Sequence, residues 1–360
     1  MKAIIVTTQY VNNYGAVLQA VGFHRFLNKC SWPHEFLNQI SKDSKIYASV
    51  FPFHRGSIYN VLTNIRRLPH AKETKRRLAR FEDFRKKFIP QTMQYESQQQ
   101  VIDADLDYDL YITGGDQMWN RSCLNRPVNL LQFGNEKSPR ISYSTSIGSA
   151  KFNDEEQKYL FDTLNRYNEI SLRECTACDT LSSVLTTAVR CDIDGSFLIA
   201  SDEWDEMSCF DEKMYPGEFI LVYELLQHPD LEKAISALKE KYHLPVVLIT
   251  VNSKPGIKAD YVVRDAGPSE FLGFFSHARA VATTSFHGTC FSVIYKKQFI
   301  SLIRESEQRI NNMLDKFGLT ENYCYKFAKL QQNEIDFTQA DSVIELGRKD
   351  AEAYLRRYFQ

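Results

Sequence analysis

The sequence has almost no net charge: 44 Lys and Arg residues stand against 45 Asp and Glu residues, for a formal charge of -1. This balance excludes a chain that binds nucleic acid through its overall positive charge. Long apolar runs are absent too. The run that begins at Ala3 stops at Thr7, too early for a secretory signal, and the longest later run, residues 245–251, is far below the roughly 18 residues of a membrane span. We therefore expect a soluble, cytoplasmic protein.

Cysteine is present, but not in a pattern that builds a site. The chain has 8 Cys at irregular spacings, and Cys175 and Cys178 form its CxxC pair. A structural zinc site needs a second such pair, so we expect no metal. We interpret Cys175 and Cys178 as ordinary residues near a helix start, with a redox or metal role as the weaker alternative. No disulfide framework is expected, which agrees with a reducing cytoplasm.

The glycine-rich loops that bind nucleotide phosphates are missing from the sequence. No GxGxxG follows a strand, and no GxxxxGK[ST] occurs anywhere. The sequence therefore disfavours both a nicotinamide-dependent dehydrogenase and a P-loop nucleotide hydrolase.

Short apolar strands alternate with amphipathic helices along the chain. This alternation predicts parallel sheets with helices on both faces, hence an α/β protein. The pattern breaks at residues 201–217, where we place a domain boundary. We predict two doubly wound, Rossmann-like domains, residues 1–205 and 215–340, and a C-terminal helix within residues 341–360 that packs back on the first domain.

Residues 66–87 form a basic segment, which we predict to be an insertion in the first domain. Ten of its residues are Lys or Arg, against three acids, and Leu78, Phe81, Phe84 and Phe88 give it one apolar stripe at helical spacing. The favoured interpretation is a surface helix with a solvated basic face. The alternative is a patch that contacts anionic lipid or a phosphorylated acceptor, which would bring the protein to the inner face of a membrane.

The most informative segment joins a buried strand at residues 280–284 to a helix. His287 lies in the turn between them, after Ser285 and before Gly288 and Thr289. Ligands of open parallel sheets bind at the carboxyl ends of strands, and a helix that begins there offers free backbone N–H groups to an anion. His287 thus lies where a phosphate or carboxylate would bind. A histidine that only caps or packs the turn is an equal alternative.

Three further segments place polar residues at strand ends. Residues 114–120 hold two glycines and Asp116, which suit a ligand-facing loop as well as a simple helix cap. Arg173 suits a bidentate grip on a carboxylate or phosphate, although a salt bridge with Glu174 or another acid is the commoner outcome. Asn13 and Gly15 suit an anion or hydroxyl at a helix start, although simple capping is the stronger interpretation.

Taken together, these segments resemble the polysaccharide pyruvyl transferase family. No single piece is specific, and their order across residues 12–303 carries the resemblance. The matching pieces are Asn13-Tyr14-Gly15-Ala16-Val17-Leu18-Gln19, Gly114-Gly115-Asp116-Gln117-Met118-Trp119-Asn120, Ser171-Leu172-Arg173-Glu174, and Pro268-Ser269-Glu270-Phe271 followed by Thr284-Ser285-Phe286-His287-Gly288.

The resemblance implies a GT-B-like fold, in which the two domains face each other across a cleft, the first on the acceptor side and the second on the donor side. It implies phosphoenolpyruvate as donor and co-substrate, a saccharide as acceptor, a cyclic pyruvyl ketal as product, and no further cofactor. This chain departs from the pattern at one position, since some members carry an arginine where it has Ser285. Arg173, Lys296 and Lys297 are the candidates for the donor contact that this arginine would make.

Within this resemblance we assign two catalytic roles. His287 is expected to protonate C3 of phosphoenolpyruvate, and Asp116 to accept the proton of the sugar hydroxyl or only to orient the acceptor. The other residues expected to bind substrate are Arg173, Ser285, Gly288, Thr289, Asn13, Gly15, Gly115, Gln117, Lys296 and Lys297.

Two rival functions stay open at this point. One is a glycosyltransferase that uses a nucleotide-sugar on the same fold, and the other is a catalytically silent carbohydrate-binding protein. The sequence also leaves open which sugar accepts the group, whether that sugar is linked to lipid, nucleotide or polymer, and how many copies of the chain associate.

Overall fold

The computed structural model describes residues 1–41, 49–51, 65, 68–148, 152–252, 255–302, 308–320 and 334–360. Within them, strands and helices alternate as the sequence predicts. The strands are β1 (Ala3–Val6), β2 (His34–Phe36), β3 (Leu110–Gly114), β4 (Arg140–Tyr143), β5 (Ile170–Leu172), β6 (Val189–Cys191), β7 (Ile220–Tyr223), β8 (Val246–Ile249), β9 (Tyr261–Val263), β10 (Ala280–Thr283) and β11 (Gln298–Ser301).

The helices that separate these strands vary in length from one short turn to five turns. They are α1 (Tyr14–Lys29), α2 (Ala71–Phe88), α3 (Gln98–Asp103), α4 (Asp154–Leu164), α5 (Cys175–Ser182), α6 (Ser201–Asp205), α7 (Leu231–Tyr242), α8 (Pro268–His277), α9 (Phe286–Ile294), α10 (Gln308–Lys316) and α11 (Thr338–Arg356). Across the described residues, no helix combines the length and the apolar character that crossing a bilayer requires.

The first sheet is parallel and has the order β2-β1-β3-β4. Two isolated parallel bridges, Ile141 to Glu169 and Thr145 to Leu172, continue it from β4 to the parallel pair β5-β6. The chain runs outward from β1 to β2 and then returns to build β3 on the other side of β1. The carboxyl ends of β1 and β3 therefore form a first switch point, the usual position of a ligand in such a sheet.

The second sheet is also parallel, with the order β11-β10-β7-β8-β9. Here the chain runs from β7 through β8 to β9 and then returns to place β10 on the other side of β7. The carboxyl ends of β7 and β10 form a second switch point. Strands such as β10, with four buried apolar or small residues, show why the sequence predicts this sheet well: a parallel strand covered on both faces is a continuous apolar run.

The chain divides into two compact units. The first comprises Met1–Lys45, Lys86–Ile199 and Ser342–Gln360, and the second comprises Ile46–Arg85 and Ala200–Asp341. Residues 201–205 thus belong to the second unit, where the Trp204 ring packs edge-on against Phe291 at 5.2 Å. The predicted first domain had included them.

The described part of the basic segment is the helix α2 and the turn before it, while Arg66 and Arg67 lie outside the described residues. We predicted an insertion in the first domain, but residues 68–85 group with the second unit. The reason is a set of ion pairs: Arg76 Nε lies 2.8 Å from Asp265 Oδ2, and Arg80 Nε lies 3.0 Å from Glu270 Oε1. Part of the predicted basic face is therefore neutralised within its own unit.

The C-terminal helix α11 belongs to the first unit. The Tyr354 hydroxyl donates to the carbonyl of Ser142 at 2.9 Å, and the Arg348 guanidinium donates to the carbonyls of Phe197 and Ile199. These bonds tie the last helix to residues far away along the chain.

The cysteines differ from the sequence-based expectation. Cys175, which begins α5, forms a disulfide with Cys191 at the end of β6. This pair could not be predicted from the sequence, because the two residues are 16 positions apart and the parallel pairing of β5 with β6 brings them together. Cys178 is buried and takes no part in the disulfide.

Candidate functional site

At the first switch point, α1 begins directly after the turn that follows β1. The Asn13 side chain accepts a hydrogen bond from the backbone N–H of Ala16 at 3.2 Å, so Asn13 caps the helix. One and a half turns further on, Gln19 Nε2 donates to Thr7 Oγ1 at 2.8 Å. The predicted pair Asn13 and Gly15 thus builds the helix start, which is the simpler of the two interpretations that the sequence left open.

The loop after β3 carries the predicted residues Gly115, Asp116 and Gln117. Gly115 has a φ of +95°, and a Cβ there would overlap the side-chain amide of Gln19. Glycine is therefore required at this position for backbone conformation and for close packing on α1. Gln117 adopts a φ of +51° and accepts a hydrogen bond from Asn120 Nδ2 at 2.8 Å. Gly115 and Gln117 thus fix the backbone on both sides of Asp116.

Arg173 lies at the centre of a cluster of carboxylates. Its Nη2 donates to Asp116 Oδ1 at 2.7 Å and its Nη1 to Asp194 Oδ2 at 2.8 Å, while its Nε lies 3.6 Å from Glu174 Oε1. Only 4% of the Arg173 side chain is exposed, against 24% for Asp116. Three strand ends meet here, since Asp116 follows β3, Arg173 and Glu174 follow β5, and Asp194 follows β6.

The neighbouring carboxylates stabilise the charged form of the Arg173 guanidinium. Burial by itself would lower the pKa of Arg173, but the carboxylates of Asp116, Glu174 and Asp194 outweigh it and raise the pKa above its ordinary value. We expected Arg173 to hold the donor anion. In the structure it is instead enclosed by negative charge, and it holds Asp116, the most exposed acid of the cluster, in one orientation.

At the second switch point, the turn between β10 and α9 is fixed by hydrogen bonds. The Ser285 side chain caps α9 by accepting from the backbone N–H of Gly288 at 3.3 Å, and the Thr283 hydroxyl donates to the carbonyl of Tyr223 at 2.9 Å. His287 follows in the first turn of α9, with 5% of its surface exposed and its ring edge-on to Phe286 at 5.1 Å. The structure thus places the predicted histidine at the carboxyl end of β10, beside the end of β7.

Two predicted contacts at this turn serve the fold. A Cβ on Gly288 would overlap the Thr283 hydroxyl, so this glycine lets α9 approach β10 closely. Thr289 is fully buried, where its hydroxyl lies 3.1 Å from the carbonyl of Ser285 and 2.6 Å from the hydroxyl of Ser301. We expected both residues to bind substrate, and the structure shows that they hold the turn that carries His287.

Lys296 and Lys297 are not near this turn. They follow the C-terminal end of α9 and precede β11, so they lie at the amino edge of the sheet, one helix length away from His287. Lys296 pairs with Asp341 at 2.6 Å, and Lys297 donates to the carbonyl of Ser276 at 2.6 Å. Burial lowers the pKa of Lys297. The two lysines are close to His287 along the chain, but the direction of α9 carries them to the opposite edge of the sheet.

The described residues contain no group of three His, Cys, Asp or Glu side chains arranged to hold a metal ion.

The profile described as polysaccharide pyruvyl transferase matches residues 13–306. The chain belongs to the polysaccharide pyruvyl transferase family. The match spans both units and includes Asn13, Asp116, Arg173 and His287.

Solved structures of other enzymes share the fold of this pyruvyl transferase family member. The UDP-GlcNAc 2-epimerase of Methanocaldococcus jannaschii, in complex with UDP-GlcNAc and UDP, aligns with a TM-score of 0.56 at 10% identity over 99% of this chain and 100% of that chain. The MnaA–UDP structure from S. aureus gives a TM-score of 0.54 at 12% identity, over 99% and 96%. At such identities the similarity shows the GT-B-like fold alone. No curated protein matches the sequence.

The structure of this family member also shows an acid that the sequence analysis missed. Glu224 directly follows β7, so it lies at the second switch point, and only 4% of its surface is exposed. Burial raises the pKa of Glu224, while a hydrogen bond with Asn252 opposes the shift. Its Oε2 has no hydrogen-bond partner among the described residues. A polar residue at a strand end was the available signal, the same one that pointed to Asp116.

Proposed function

We propose that this protein transfers a pyruvyl group from phosphoenolpyruvate to two hydroxyl groups of a saccharide and forms a cyclic ketal. The observation that carries the proposal is the family match over residues 13–306, which includes a histidine at the start of a helix at a sheet switch point. The positive end of a helix dipole favours an anionic donor. An acid must then protonate the enol ester of such a donor.

The chemistry begins at the double bond of the donor. Phosphoenolpyruvate gains a proton at C3, which leaves a cation at C2 that is stabilised by the ester oxygen. A sugar hydroxyl forms a bond to C2 and gives up its proton. A second hydroxyl of the same sugar then bonds to C2 while the C2–O bond to phosphate breaks, and inorganic phosphate leaves. No redox change occurs, and the second proton leaves with the phosphate.

We assign the proton donor to His287 and the proton acceptor to Asp116. His287 supports this role because it stands in the first turn of α9, at the positive end of the helix dipole, where an anion is favoured. Asp116 supports its role because it is a carboxylate that remains partly exposed, while Arg173 fixes its orientation. Arg173 thereby becomes a positioning residue instead of a donor ligand.

For the acceptor, we propose the surface beside the loop of Asp116. A cavity of about 840 Å³ opens there, and its lining includes Asn120, Asn125, Glu155 and Tyr159. Amide and carboxylate groups bind sugar hydroxyls, and a partly exposed aromatic ring packs against the apolar face of a sugar. The cavity therefore offers the mixture of groups that a saccharide needs.

Calorimetry with two ligands tests the donor. We expect the purified chain to bind phosphoenolpyruvate, and we expect UDP-GlcNAc, the ligand of the M. jannaschii enzyme, neither to bind nor to compete. Binding of UDP-GlcNAc without binding of phosphoenolpyruvate would instead favour a nucleotide-sugar enzyme. Binding of saccharides alone, without phosphate release, would favour a silent carbohydrate-binding protein.

A further inference from the structure

The helix α2 packs against the segment that follows the carboxyl end of β9 in the second sheet. Asp265 and Gly267 follow the carboxyl end of β9 and lead into α8, so they mark the carboxyl edge of the sheet. Arg76 and Arg80 of α2 both pair with Asp265, and the Arg80 Cβ lies so close to Gly267 that a Cβ on that glycine would overlap it. The second switch point lies at this same edge.

Arg77 differs from the other arginines of α2. Arg76, Arg80 and Arg85 each pair with an acid. Arg77 is partly buried, with its guanidinium carbon 5.9 Å from the centre of the Phe81 ring, and no salt bridge or hydrogen bond to it is found in the described part of the chain. A cation that is half removed from water without an acid to balance it calls for an explanation.

Tyr223 connects Arg77 to the second switch point. It ends β7, its ring packs edge-on against Phe271 at 5.1 Å, and a Cβ on Gly288 would lie 3.1 Å from its Cδ1. Burial raises the pKa of Tyr223, while its hydrogen bond with Ser285 and the nearby charge of Arg77 oppose the shift. Tyr223 therefore forms a hydrogen bond with Ser285, the cap of α9, and the charge of Arg77 is near enough to affect the pKa of Tyr223.

A buried acid at this edge adds an independent observation. Glu224, the residue after Tyr223, has a side-chain oxygen that is buried and has no hydrogen-bond partner among the described residues. Buried polar atoms are satisfied in almost all folded proteins, and a bound ligand is one way to satisfy them. Burial raises the pKa of this carboxyl, which lessens its repulsion of an anion.

We propose that Arg77 binds an anionic group of the donor, the phosphate or the carboxylate of phosphoenolpyruvate, at the start of α9. The assignment rests on the proposed function. It supplies the positive charge that Ser285 does not provide and that Lys296, Lys297 and Arg173 do not bring to this turn. The guanidinium suits the task because its planar donors match either anion in a bidentate fashion.

Adjacent arginines of one helix give a matched test. Arg77→Gln removes the proposed contact, and Arg76→Gln removes the same charge from a surface ion pair. Calorimetry with phosphoenolpyruvate should show about 10- to 100-fold weaker binding for Arg77→Gln, the value of one charge-assisted hydrogen bond, and little change for Arg76→Gln. Arg77→Lys should recover part of the affinity, because it restores the charge without the planar donors. Turnover at saturating donor should change less than the KM for donor.

Equal binding of the donor by Arg77→Gln and the wild type, with both folded by circular dichroism, would overturn the assignment and leave the proposed function intact. Inorganic phosphate is the second probe. If the wild type binds phosphate but not phosphoenolpyruvate, and Arg77→Gln loses the phosphate, the anion site stands and the proposed function fails. If the wild type binds neither probe, both are overturned.

Discussion

The backbone around His287 is held by its neighbours. Ser285 caps the helix, and Thr289 bonds both the carbonyl of Ser285 and the hydroxyl of Ser301. Because these two side chains are committed to the turn, His287 is the residue of this segment that we assign to the donor.

Substitution of His287 separates acid catalysis from binding. We expect His287→Ala to reduce turnover by about 10²- to 10⁴-fold, the usual contribution of a general acid. His287→Gln keeps a hydrogen-bond donor but supplies no proton, so it should retain donor binding and remain slow. Phosphate release gives the rate and calorimetry gives the affinity. A Gln variant that is nearly as active as the wild type would show that His287 is structural or only a ligand.

The buried contacts of Arg173 lead to a prediction about the stability of the folded protein. Arg173→Ala would leave Asp194 and Glu174 buried without their cation, which typically costs about 3–5 kcal/mol for a buried pair. Urea unfolding of the variant should therefore show a large loss of stability. Arg173→Lys, which keeps the charge but loses the bidentate geometry, should lose less. Wild-type stability in Arg173→Ala would contradict the account of this cluster.

The sequence identified these residues better than it identified their partners. Arg173 was visible as a polar residue at a strand end, but Asp194 lies 21 positions further on and meets it only because β5 pairs with β6. Glu224 carried the same strand-end signal, but its burial beside the end of β10 depends on the folded sheet, and the place of Arg77 depends on how α2 packs on the second unit.

At the scale of elements, the parallel strands were the most predictable part of the molecule. Runs such as Ala3–Val6 and Ala280–Thr283 are apolar or small throughout because both faces of the sheet are covered. Helix α2 was predictable as a helix from its apolar stripe. The unit to which it belongs was not, because that depends on pairs such as Arg80 with Glu270, 190 positions apart.

The disulfide that joins α5 to β6 leads to a prediction about thermal stability. The disulfide Cys175–Cys191 closes a short loop, and such a crosslink stabilises a fold by about 3 kcal/mol in the chain-entropy description. A reducing agent should therefore lower the melting temperature of the oxidised protein. The variant Cys175→Ser should have the lower melting temperature with or without the reductant. Cys178→Ser is the control, and the reductant should still lower its melting temperature. No response in the wild type would contradict the crosslink.

At the scale of the whole molecule, the family and the fold agree with the sequence, while the chemistry of the site was only partly visible. The order of four weak segments across both units was enough to indicate polysaccharide pyruvyl transferases, and the family profile covers them all. The direction of the helix after His287 places Lys296 and Lys297 at the other edge of the sheet, and that direction is a property of the fold. Contact of the basic segment 66–87 with anionic lipid or a phosphorylated acceptor stays the alternative to a solvated surface helix.

The most direct test of the central claim is a product measurement. The full chain is incubated with phosphoenolpyruvate and a set of saccharide acceptors, phosphate release is followed, and the saccharides are analysed by mass spectrometry. The account predicts phosphate release that depends on one class of acceptor, with that acceptor gaining the mass of pyruvate less one water. Phosphate release without this gain, or a sugar transferred from UDP-GlcNAc to the acceptor instead, would contradict it.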